Sequence, residues 1–181
     1  NVEITVNQLS SKTLTISFGF EELKLDLTTL DESHSIANQA EIFNRFGLGY
    51  EGITYQPGRP ILPAVSRMVV VPPESGLELI VHAESPRRIT PDHPPELVPL
   101  QGTGFELQDI TSLRTAQRRS NLFPPQIAEM SAPSVIRGVR VVKITTYPLQ
   151  YDTSTGEYVY HPRITTEIRR TDKPPVNPAS N

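Results

Sequence analysis

Four histidines, His34, His82, His93 and His161, are the residues of this 181-residue sequence best suited to metal or proton chemistry, and their spacing suits neither. No pair stands at the i, i+4 interval that would bring two imidazoles to one face of a zinc-binding helix. His82 falls in a strand-like stretch and reads as solvent-facing, while His161 is a strand residue before Pro162. Asp31-Glu32 beside His34 would suit a cation or a pH-sensitive contact, but reads first as a solvated loop. Gly102-Thr103-Gly104 looks like the start of a dinucleotide loop, but no apolar strand leads into it, no third glycine comes after it and no helix begins there. Serine, histidine and aspartate occur without a Gly-x-Ser-x-Gly elbow. Cysteine is absent, which removes disulfides, thiolate metal sites and a cysteine nucleophile from this chain. No metal, cofactor or catalytic residue is therefore assigned.

What remains is a cluster of cations, Arg114, Arg118 and Arg119, within the longest stretch that has no periodicity, about Pro86 to Pro133. Loops longer than roughly 15 residues inside compact domains are uncommon and tend to carry function. The elements on either side must then act as its scaffold. Val2, Ile4 and Val6 alternate with Glu3, Thr5 and Asn7, and Leu14, Ile16, Phe18 and Phe20 alternate with Thr15, Ser17 and Gly19. That period of two is half-buried strand. Leu23, Leu25 and Leu27 continue it, whereas Ile36, Ala40 and Phe43 between Ser33 and Phe46 fit a helix or a loop.

A short strand over Gly49 to Tyr55 runs into Pro57-Gly58-Arg59-Pro60-Ile61-Leu62-Pro63, a stiff connector. Ser66 to Val71 is apolar on both faces, which suits a central strand, while Leu77, Leu79, Val81 and Ala83 alternate with Glu78, Ile80, His82 and Glu84. The last third predicts a hairpin: strand over Val139 to Tyr147, turn over Asp152 to Gly156, strand over Tyr158 to Arg170. Residues 1–171 thus read as one domain and 172–181, with three prolines, as a linker or processed tail.

Composition agrees. The 18 prolines are about a tenth of the chain, where roughly a twentieth is usual. They punctuate strands, because the ring removes a ladder donor. The expected fold is all-β: an antiparallel β-sandwich, jelly-roll-like, with one long irregular loop region and little helix. Lys plus Arg is 17 against Asp plus Glu 20, a formal charge of −3, which offers no excess for nucleic acid or anionic membranes. No apolar run reaches the roughly 20 residues of a membrane-spanning helix. The first residues lack the basic start and apolar centre of a signal peptide, so any such signal is expected to have been removed.

Four ordered motifs carry a resemblance. They are Gly58-Arg59-Pro60-Ile61-Leu62-Pro63 with Ser66-Arg67, then Leu122-Phe123-Pro124, then Ser131-Ala132-Pro133 with Ile136-Arg137-Gly138-Val139-Arg140, then Pro148-Leu149-Gln150-Tyr151-Asp152 before Thr155-Gly156. Over roughly Gly49 to Ile168 the chain resembles the N-terminal propeptides of gingipain-type cysteine peptidases. The resemblance implies a non-catalytic prodomain that assists folding of its own peptidase, covers the active site and keeps the zymogen latent. It implies the catalytic domain as partner and a secreted or cell-surface location reached through a bacterial periplasm.

In that family a loop before the Phe-Pro segment offers a basic side chain to the specificity pocket, where an arginine would pair bidentately with a carboxylate. The family's spacing lands here on Gln101 and Gly102, which are not basic, so Arg114, Arg118 and Arg119 become candidates by chemistry rather than by alignment. Arg170 and Asn181 are the processing candidates. The competing reading is a non-inhibitory adhesion or carbohydrate-binding sandwich of a larger exported protein, with Tyr147, Tyr151, Tyr158 and Tyr160 as its platform.

Overall fold

A computed structural model describes residues 2–10, 12–20, 51–91, 95, 97–98 and 121–179. Strand alternation at the start becomes β1 (Glu3–Ser10) and β2 (Thr13–Gly19), paired antiparallel with Ile4 opposite Phe18 and Val6 opposite Ile16. The third alternating run, Leu23 to Leu27, and the Ser33 to Phe46 stretch lie outside the described residues. The connector leads from β3 (Gly52–Ile53) into β4 (Pro63–Val70), and Gly76–Ala83 forms β5.

The stretch from Pro86 to Pro133 is less irregular than its sequence suggests. It contains β6 (Arg87–Ile89), β7 (Leu122–Phe123) and β8 (Ala128–Met130). Strands of two or three residues are too short for an alternation to register. After β9 (Ser134–Ile136) and β10 (Val139–Thr146) come β11 (Leu149–Asp152), β12 (Glu157–Tyr160) and β13 (Arg163–Thr171). The described residues contain no helix.

Three antiparallel sheets result. The first runs β1-β2-β13-β5; the second runs β3-β4-β10-β8, with β9 also on β10; the third runs β6-β12-β11-β7. The predicted strand from Tyr158 to Arg170 is in fact two, one in the third sheet and one in the first. It breaks at His161-Pro162, as β10 breaks from β11 at Tyr147-Pro148. A proline has no N–H to continue a ladder, so the chain turns a corner there and enters a different sheet. The two corners are joined by the His161 amide, which donates to the Pro148 carbonyl at 2.8 Å.

The inner faces bury Ile16 and Phe18 of β2, Ile164 and Ile168 of β13, Val142 and Ile144 of β10, and Leu149, Tyr158 and Tyr160 of the third sheet in one core. The turn at Asp152 is fixed from within. Asp152 Oδ1 accepts from the Ser154 hydroxyl at 2.6 Å and the Ser154 amide at 3.0 Å, and Gly156 adopts φ 74°. Those Ser154 hydrogen bonds, more than the Arg88 guanidinium 3.4 Å away, hold the Asp152 carboxyl below its ordinary pKa.

One inward position on β10 is a cation. Arg140 is 2% exposed and occupies the same face as Val142 and Ile144. Its guanidinium donates to the carbonyls of Pro72 (2.6 Å), Ser75 (2.9 Å), Val176 (2.7 Å) and Asn177 (3.1 Å). Residues 172–179 are thereby strapped across the turn between β4 and β5. Asn177 Nδ2 donates to the Pro133 carbonyl at 2.8 Å, and the Ala179 amide to the Pro73 carbonyl at 3.2 Å. Removing Arg140 would leave four carbonyls without their donor. The Arg140→Gln variant should lose about 3 kcal/mol of unfolding free energy in urea titrations. It should also be nicked within residues 172–179 at protease concentrations that leave the native chain whole.

Candidate functional site

The site that the fold builds most deliberately is the base of the segment 99–120, and it is built on the Gly-Arg-Pro connector. Gln56-Pro57-Gly58-Arg59 forms a turn in which the Arg59 amide donates to the Gln56 carbonyl at 3.0 Å and Gly58 takes φ 70°. Proline and then glycine at the two central positions is the signature of a type II turn, because only the second needs positive φ. Thr54 braces the connector beyond it. Its hydroxyl donates to the Pro60 carbonyl and accepts from the Leu62 amide, both at 2.9 Å, and its own amide donates to the Leu62 carbonyl at 2.7 Å.

Thus fixed, the connector grips both flanks of the segment. On the leading side, the Gly58 amide donates to the Val98 carbonyl at 2.7 Å and the Val98 amide to the Arg59 carbonyl at 2.9 Å, while Pro60 bridges Leu97. Val98 is buried, with 1% of its surface exposed. On the returning side, the guanidinium carbon of Arg59 lies 5.4 Å from the centre of the Phe123 ring, a cation–π contact. Arg59 is 8% exposed, and burial lowers its pKa. One residue therefore meets the chain on both sides of 99–120, with its backbone at Val98 and its side chain at Phe123.

The returning side has two further anchors. The Asn121 carbonyl accepts from the Thr153 amide at 2.8 Å and the Thr153 hydroxyl at 3.0 Å. Beyond Phe123, which precedes Pro124 through a cis peptide, the Pro124 carbonyl accepts from Gln150 Nε2 at 2.6 Å. Gln150 Oε1 is in turn 2.9 Å from His161 Nε2, so that imidazole nitrogen carries the proton. Burial pushes the His161 pKa below its ordinary 6.5, and Nδ1 is buried with no hydrogen-bond partner among the described residues. His161 is thus a corner residue between strands that orients a buried amide, whereas His82 is the exposed strand residue that its alternation predicts.

The sequence-derived candidates divide sharply. Gln101, Gly102, Arg114, Arg118, Arg119 and Asn181 lie outside the described residues. Arg170 lies in β13, between β2 and β5, with its amide donating to the Lys12 carbonyl at 3.0 Å and its Nε to Ser75 Oγ at 3.0 Å. The tyrosines do not make a platform. Tyr158 and Tyr160 are buried, Tyr160 donating to the Phe20 carbonyl; Tyr151 and Tyr158 pack across β11 and β12 at 5.4 Å. Tyr147 donates to Glu129 at 2.6 Å, and its pKa is raised first by burial and then by that hydrogen bond. No group of three or more histidines or carboxylates that could hold a metal occurs among the described residues.

Arg59 and Arg140 are the structural cations that the sequence reading did not single out for these roles. A signal existed for Arg140, since period two from Val142 and Ile144 puts it on the core face. None existed for the stacking of Arg59 on Phe123, a contact across 64 positions of sequence.

Comparison with known proteins gives the same outline. Residues 3–180 match the family model Propeptide_C25. Two solved structures share the fold. One is the complex of Porphyromonas gingivalis RgpB pro- and mature domains, with TM-score 0.67 and 20% identity over 99% of this chain and 89% of that chain. The other concerns zymogenic latency of gingipain K from the same bacterium, with TM-score 0.58 and 21% identity over 94% of this chain and 93% of that chain. No curated protein sequence matches.

Two consequences are measurable. Thr54→Val leaves the Pro60 carbonyl and Leu62 amide without a partner, and should cost about 1–3 kcal/mol by urea denaturation. His161 gives a pH dependence whose sign is set by its lowered pKa. The unfolded chain binds more protons below about pH 6.5, so stability is full above that pH and is lost as pH falls through the folded-state value. Melting temperatures between pH 7 and pH 5 should decline for the native chain and decline less for His161→Gln.

Proposed function

The chain belongs to the Propeptide_C25 family, and we propose that it holds a gingipain-type cysteine peptidase latent by laying the segment 99–120 across the catalytic cleft. As a propeptide domain it is not itself catalytic, and its partner is the catalytic domain of its own precursor. The observation that carries the reading is the double grip of Arg59 on Val98 and Phe123. A segment whose two flanks are fixed to one rigid support loses less freedom on binding than one with free ends, and that difference appears as affinity.

By the family's spacing the residue that meets the specificity pocket falls near Gln101 and Gly102, which are not basic, and Arg114, Arg118 and Arg119 are the basic candidates in the same segment. Latency requires a segment that binds as substrate does while its carbonyl stays out of line with the nucleophile. An arginine in a carboxylate-bearing pocket would bind through two parallel hydrogen bonds.

Release needs a cut that a peptidase can reach. Peptidases take an extended, unpaired stretch, and the Arg170 bond is inside a strand paired on both sides. Of the two processing candidates this argues for Asn181. Latency of this kind fits a secreted or cell-surface peptidase, and a bacterial periplasm is the compartment in which we place the latent interval.

The purified chain added in trans should inhibit its own mature peptidase with an inhibition constant below micromolar. Replacing residues 102–121 with a glycine-serine segment of equal length should weaken that inhibition at least tenfold. A well-folded chain that fails to inhibit would remove the latency reading.

A further inference from the structure

The base of the segment 99–120 rests in part on a side chain that can change charge near neutral pH. Gln150 is oriented to donate to the Pro124 carbonyl at 2.6 Å because its own side-chain oxygen is held by His161 Nε2 at 2.9 Å. Pro124 follows Phe123, whose ring receives the Arg59 guanidinium. His161 therefore supports, through one amide, the chain that returns from the segment. The residue is 7% exposed, and its main-chain amide ties the corner to the Pro148 carbonyl at 2.8 Å.

Such a corner needs only a donor towards Gln150, and a side-chain amide would supply one without ever titrating. Histidine brings a second nitrogen, and buried Nδ1 has no hydrogen-bond partner among the described residues. In the neutral ring this is one unsatisfied acceptor. In the imidazolium it becomes a charged donor without an acceptor, which is far costlier to bury. The charged and titratable groups on the elements around the corner are Glu3 beside Gly19, Arg163 with Glu84, Arg87 opposite Tyr160, Arg88 with Asp152 and Glu157, Tyr147 with Glu129, and Arg59 over Phe123. None of them offsets the loss of hydration, since burial alone sets the direction of the His161 shift.

We propose that His161 makes the hold on the segment 99–120 acid-labile: on taking up a proton at Nδ1 its side chain leaves the corner for water, Gln150 loses its orientation, and the returning flank comes off its support. This rests on the propeptide reading above and adds to it a means of release that needs no cut. The sign follows from linkage. The clasped corner, with a His161 pKa below 6.5, binds the proton more weakly than an opened corner does. The clasp is therefore complete above about pH 6.5 and fades as pH falls through the folded-state value, by up to about tenfold per pH unit in the ratio of clasped to opened chain. Asp152, held below its ordinary pKa, and Tyr147, raised above its own, keep their charge states over that interval.

The test uses the full 181-residue chain. Hydrogen exchange of the Thr153 amide, which donates to the Asn121 carbonyl, reads the returning flank directly. Corrected for intrinsic exchange rates, its protection in the native chain should fall about fivefold or more from about pH 7.5 to about pH 5.5, and stay level in His161→Gln. The His161 ring should titrate over the same range by NMR, and His82→Gln, at the exposed strand histidine, should behave as the native chain does. Binding is measured in parallel to the mature peptidase carrying alanine for its nucleophilic cysteine, so that no cleavage intervenes. The dissociation constant of the native chain relative to that of His161→Gln should rise about threefold or more across the range, a ratio in which the peptidase's own titrations cancel. Should His161→Gln fail to fold, His161→Asn takes its place.

Thr153 protection that ignores pH, or that falls equally in the native chain and the variant, would overturn acid release, while tight binding at pH 7.5 would leave the latency reading standing. Protection that falls with a flat ratio of dissociation constants would detach the corner from the segment and overturn the proposal as well. Absence of any binding by the native chain at pH 7.5 would overturn the latency reading and this one with it.

Discussion

A guanidinium withdrawn from water destabilises a fold unless its surroundings restore the interactions that it gave up. Arg59 meets this constraint in a way that shapes the rest of the molecule. Its charge sits over the Phe123 ring, which belongs to the returning flank, while its carbonyl accepts from the Val98 amide on the leading flank. The requirement to satisfy one buried cation thus ties together two parts of the chain that the sequence holds apart. The turn at Gly58 and the brace at Thr54 keep Arg59 where it can do this, and Gln150 and His161 hold Pro124 just beyond the ring. Loss of any one of these supports would loosen a base that consists of few contacts.

Arg140 solves the same problem with different partners. Its donors meet main-chain carbonyls, which supply partial rather than full negative charge, so the pairing is weaker per contact than one with a carboxylate. Four of them converge, however, and they come from two separate stretches of chain. A hydrophobic residue at 140 would have filled the space and left the carbonyls of Pro72, Ser75, Val176 and Asn177 without this donor. The arginine ties residues 176 and 177, and with them the stretch after β13, to the turn between β4 and β5.

Period-two alternation made the strand content legible, and with it the fold class, because each inner face needs apolar residues at every second position. β1, β2, β5 and β10 appear close to where the pattern puts them, and the Asp152 to Gly156 turn was readable from its residues alone. What escaped was non-local. Pro148 and Pro162 were visible as interruptions, but that each is a corner between sheets depends on partners far away in sequence. β6, β7 and β8 were invisible because a pattern needs more than three residues to declare itself. The grip of Arg59 was hidden for a related reason: the motif announced a stiff connector, while the ring it meets lay 64 positions on.

A segment that mimics substrate must be complementary to a cleft evolved to cleave what it binds, so tight binding by the segment alone invites its own hydrolysis. On the reading proposed above a rigid base eases that conflict, because flanks already fixed to one support give up less freedom on binding. The Arg59 contacts with Val98 and Phe123 are that support. If the clasp yielded, that advantage would be lost, and affinity would have to come from the segment itself.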